Sequence, residues 1–107
     1  MARLTAEYAT ERAQASLRNV IKLGRTADIV QWATLAATAV MEAADLAAVP
    51  SEDAGTVTML RGSVTECLRS LTKAGLGGDT DGVLSRGELV GDAVANLAVF
   101  LGRYDAR

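Results

Sequence analysis

The chain has 107 residues, half of them hydrophobic, which is enough to bury one core without disulfide or metal staples. Its formal net charge of −2 argues against a dedicated nucleic-acid binder, because neutralising phosphates needs a basic surface. It contains no histidine, which excludes Ser-His-Asp and Cys-His catalysis and removes the commonest general base and the usual zinc ligands.

Only Tyr8, Trp32, Phe100 and Tyr104 are aromatic, so the core must be built from alanine, leucine and valine. That suits closely packed helices better than a sheet, and no strand signal competes. The first predicted helix runs from about residue 5 to 23, with Thr5 as N-cap and Gly24 as stop. Leu17, Val20 and Ile21 give it an apolar patch near its end, while its opening half is mostly alanine and polar residues. Through Arg25 this segment carries Arg3, Arg12, Arg18, Lys22 and Arg25 against Glu7 and Glu11, so 5 − 2 = +3. Such a mild basic face is expected to be solvated.

The second helix is predicted over 26–49 and is stopped by Pro50, the only proline. From Ile29 to Val49, 16 of 21 residues are hydrophobic, which invites a transmembrane reading. The five polar residues reject it. Gln31, Thr34, Thr38, Glu42 and Asp45 fall in one arc of about 80°, and a stripe with two acids belongs in water. The remaining apolar arc of about 280° is more than three neighbours would easily cover, which predicts an exposed surface available for self-association. Trp32, Leu35 and Val40 are the expected interface residues, Trp32 being as well suited to anchor an interface as to fill the core.

The third helix, over 52–74, has an apolar seam of Val57, Leu60, Val64, Cys67 and Leu71. Cys67, the only cysteine, reads there as a small buried hydrophobe and leaves no intramolecular disulfide to form. The fourth helix, over 85–104, repeats the pattern with Val90, Ala93, Val94, Leu97, Leu101 and Tyr104. Gly87 and Gly91 lie four apart on it, a spacing that would let another backbone come close. Four amphipathic helices with short connections predict an all-α, antiparallel four-helix bundle forming a single domain over 1–107.

Between the third and fourth helices, Gly77 to Glu88 resembles a twelve-residue EF-hand calcium loop. Asp79, Asp81, Gly82, Ser85 and Glu88 fall on positions 3, 5, 6, 9 and 12, and Leu84 on position 8. The resemblance implies Ca2+ held by Asp79, Asp81, the Val83 carbonyl, Ser85 and Glu88. The pattern departs at position 1, where Gly77 stands in place of aspartate, and no second loop accompanies it. Local chemistry offers another reading: Gly77, Gly78, Asp79, Asp81 and Gly82 are turn-formers, and Ser85-x-x-Glu88 is a capping box opening the fourth helix.

Glu42-Ala-Ala-Asp45 is similar to one of the two magnesium-binding motifs of the all-α nucleoside triphosphate pyrophosphohydrolases, but the chain has no Glu-x-x-Glu to face it. No Gly-x-x-x-x-Gly-Lys-Ser/Thr motif occurs either. The expectation is therefore a non-catalytic structural or interaction protein that forms a homo-oligomer or binds a protein partner, with no nucleic-acid or membrane partner, and a calcium-binding regulatory module is the alternative. The opening residues lack the apolar run of a secretory signal, which predicts a cytoplasmic protein. Nine arginines against two lysines, with abundant alanine, is a bias of GC-rich genomes such as those of actinobacteria and their phages. A phage source would place the protein in the virion or the infected host's cytoplasm.

Overall fold

Two glycines close the turns that set the architecture. In the computed structural model, which describes residues 2–104, Gly24 and Gly78 hold φ of 69° and 70°, the left-handed region open to glycine at little cost. After Gly24 the Arg25 amide donates to the Val20 carbonyl (2.8 Å), and the Gly24 amide to Ile21 (3.0 Å). After Gly78 the Asp79 amide donates to Ala74 (3.0 Å), and the Gly78 amide to Gly75 (3.2 Å). Both are Schellman motifs, which satisfy the last carbonyls of one helix and turn the chain directly into the next.

The helices are α1 (Ala2–Lys22), α2 (Thr26–Leu46), α3 (Ala54–Leu76) and α4 (Thr80–Leu101), an all-α four-helix fold as expected, with no strand among the described residues. Several boundaries differ from the sequence reading. α1 is helical from Ala2, so Thr5 lies inside it and not at its N-cap position. α2 ends at Leu46, where Ala47 turns extended (φ −78°, ψ 142°), and Ser51–Asp53 form a single 3-10 turn before α3. α4 begins at Thr80, five residues before Ser85. The reason is Asp79: its Oδ1 accepts from the Gly82 amide at 2.9 Å, an N-cap that pre-empts the capping box.

α1 packs on α2, and α3 on α4, as two helical hairpins. α2 and α4 meet across the middle, α1 meets α4 and α3 meets α2 more sparsely, and α1 does not reach α3. The result is a flattened rhombus of 41 × 24 × 16 Å. Alanine supplies 11 of the 23 buried apolar residues, and these short side chains let the central helices lie close.

The hairpins are related by a shift of 54 residues. Buried Ile29, Ala36, Val40 and Ala43 of α2 correspond to buried Val83, Val90, Val94 and Leu97 of α4, and Leu17 of α1 to Leu71 of α3. Only eight of the 49 residue pairs between 2–50 and 56–104 are identical, so the repeat lives in burial rather than in residue identity.

α2 is therefore a central helix. Its polar stripe of Gln31, Thr34, Thr38, Glu42 and Asp45 is exposed as expected, but three neighbours cover most of its apolar arc. The inference of a large uncovered face on α2 is corrected accordingly. No helix among the described residues is long and apolar enough to cross a membrane.

Candidate functional site

No turn joins α1 to α4, and the α4 residues facing α1 are small: Gly87, Gly91 and Ala95, spaced at four residues. They cannot fill the space between the helices. A depression of about 420 Å³ remains, with Leu17 and Ile21 of α1 against this small-residue strip. Gly87 forms its tightest point, where an added Cβ would lie 2.7 Å from Ile29 Cγ2 and 3.3 Å from Ile21 Cδ1. The close approach expected at Gly87 and Gly91 thus admits side chains of α1 and α2, since a Cβ added at Gly91 would lie 3.7 Å from Leu17 Cδ2.

Gln14 crosses the groove. Its side chain is 9% exposed, and Nε2 donates to the Gly91 carbonyl at 3.4 Å. Beyond it lies a smaller depression of about 200 Å³, lined by Glu7, Thr10 and Glu11 on one side and Ala98, Leu101 and Gly102 on the other. Buried Thr10 is satisfied locally, its hydroxyl donating to the Ala6 carbonyl at 2.8 Å.

Charge is arranged in two rows along the larger depression. Arg18 and Lys22, four apart on α1, stand on one wall, and Glu88 and Asp92, four apart on α4, on the other. Among the described residues no ion pair joins the rows. Of the basic face expected on α1, Arg12 instead lies 5.7 Å from the Tyr8 ring centre and Arg25 pairs with Asp28 at 2.9 Å. The side chain of Arg3 lies outside the described residues. Arg18/Lys22 and Glu88/Asp92 are readable as i, i+4 pairs in the sequence, but nothing there says that they face one another.

The expected interface residues separate. Val40 is fully buried among the helices, a correction, since its side chain is unavailable to a partner. Trp32 is partly buried against the core, and only Leu35, 46% exposed, presents a substantial apolar surface.

The EF-hand-like residues lie mostly within α4. Asp79 caps the helix, Asp81 and Val83 occupy its first turns, and Ser85 donates its hydroxyl to the Gly82 carbonyl at 3.3 Å. Ser85 and Glu88 are interior helical residues, so the expected capping box is corrected. Gly82 sits beneath the cap: an added Cβ would fall 2.2 Å from Asp79 Oδ2, which explains a glycine here in terms of the turn. Among the described residues no three histidine, cysteine, aspartate or glutamate side chains are grouped so as to hold a metal ion. Glu42 and Asp45 are exposed, and Asp45 accepts from Arg61 at 2.8 Å. Cys67 is half-buried rather than buried.

No protein-family model matches this chain, and no curated protein or solved structure matches it.

Proposed function

We propose that this chain is a non-catalytic helical interaction module that self-associates in the cytoplasm. The observation that carries the reading is the α1–α4 seam, where opposed charged rows border a shallow groove whose partly exposed floor is Ile21, Gly91 and Ala95. Exposed Tyr8 on α1 and Val99 on α4, 60% and 72% accessible, add apolar surface beyond that floor. A non-catalytic role is supported by the absence of histidine and by the solvated position of Glu42 and Asp45. The cytoplasmic placement rests on the lone cysteine, and an actinobacterial or phage source on the arginine and alanine bias alone.

Sedimentation velocity from micromolar to millimolar protein tests the reading. A species at an integer multiple of 11.1 kDa is expected, and a monomer throughout would refute self-association. Calcium binding by residues 77–88 is the alternative. It would require the first two turns of α4 to unwind, and no feature of the geometry favours it.

A further inference from the structure

We infer that the occupant of the α1–α4 groove is a second copy of this chain, docked about a two-fold axis running along the groove. The inference rests on the self-association reading and adds the face and the symmetry. A two-fold axis parallel to the helices lays α1 of each copy over α4 of the other and keeps every residue at its own level along the groove. Arg18 and Lys22 share a level with Glu88 and Asp92, since all four border one depression. The operation therefore sets each copy's basic row against the other's acidic row, twice. A two-fold axis across the helices would instead oppose α1 to α1 and basic row to basic row. Charge complementarity thus selects one symmetric arrangement, as an isologous interface requires.

The internal repeat supplies an independent comparison. At the corresponding places between α2 and α3, Arg18 and Lys22 are replaced by Thr72 and Leu76, and Glu88 and Asp92 by Thr34 and Thr38. One of two quasi-equivalent faces carries opposed charges and the other carries none at these places, so the contact closes as a dimer and does not propagate as a chain of copies. Tyr8 precedes Lys22 by fourteen residues and Val99 follows Asp92 by seven, which puts them on the same outer rows. The same axis brings each Tyr8 near the level of the other copy's Val99.

The test is sedimentation equilibrium on the whole chain and two charge-reversal variants, Arg18→Glu/Lys22→Glu and Glu88→Lys/Asp92→Lys. Wild type is expected at twice 11.1 kDa and each variant alone at 11.1 kDa, because each homodimer would oppose like charges. An equimolar mixture is expected to recover the doubled mass, since both contacts of the mixed dimer are again complementary. This recovery separates a lost interface from a lost fold, which circular dichroism checks directly. A dimeric wild type whose variants stay dimeric would overturn this face while leaving self-association intact. Monomeric variants that fail to recover on mixing would overturn the two-fold pairing. A monomeric wild type would overturn both readings.

Discussion

Gly87 of α4 lies against Ile29 of α2 so closely that a Cβ at Gly87 would sit 2.7 Å from Ile29 Cγ2. Ile29 is fully buried, and Cγ2 is attached directly to its Cβ, so the methyl moves aside only if χ1 leaves its preferred helical rotamer or the helix shifts. Gly87→Ala gains about 1 kcal/mol of helix propensity but overpacks the core at a cost of about 2–3 kcal/mol, leaving a net loss of about 1–2 kcal/mol. Chemical denaturation of the single and double mutants reads the coupling. The loss should shrink in an Ile29→Ala background, and an unchanged loss would show that the contact is not its cause.

Other glycines should respond with different signs. Gly78 has open space around its Cα, so Gly78→Ala meets no neighbour and suffers only the left-handed backbone, about 1–2 kcal/mol. Gly62, exposed in the interior of α3 with equally open space, should gain about 1 kcal/mol on substitution by alanine. Thermal melts of both variants decide the matter, and a destabilised Gly62→Ala would contradict the helix described for α3.

Much of the bundle was legible because its signals are local. Gly24 announced the end of α1 and the polar stripe from Gln31 to Asp45 gave the wet face of α2, since one turn motif and one helical period suffice. The start of α4 misled because two caps compete within ten residues. Gly77, Gly78 and Gly82, with Asp79 and Asp81, made the stretch before Ser85 look like a turn; Gly82 is instead helical and explained by what presses on it, the Asp79 carboxylate. The candidate site was not legible for a related reason. Arg18 and Asp92 are 74 residues apart, and only the meeting of the two hairpins places them on facing walls.

The competing caps can be separated experimentally. Asp79→Ala removes the acceptor for the Gly82 amide and should cost about 1 kcal/mol, while Asp79→Asn retains an acceptor and should cost much less. Ser85→Ala removes only a hydroxyl within the helix and should stay within about 0.5 kcal/mol of wild type. Urea denaturation ranks the three variants. A larger loss for Ser85→Ala than for Asp79→Ala would restore the capping box as the true start of α4.

Tyr104 fastens the end of α4 to the turn before α3, its hydroxyl donating to Asp53 Oδ2. The ring also lies 5.6 Å from that of Phe100 at a tilt of 57°. Its phenol pKa is raised above the ordinary value, first by the hydrogen bond to Asp53, then by desolvation and by the charges of Asp53 and Glu52, against a lowering by Arg103. A raised folded pKa means that the native state holds the proton more tightly than the unfolded chain. The stabilisation is fully present below the unfolded value of about 10 and is lost as pH rises through the higher folded value. An ultraviolet titration in a Tyr8→Phe background, where Tyr104 is the only tyrosine, should therefore show phenolate forming later than in a free tyrosine. Asp53→Asn should move it back toward the ordinary value. Tyr104→Phe should lessen the decline of melting temperature in that alkaline window, and a decline identical to wild type would mean that the Asp53 contact contributes nothing to it.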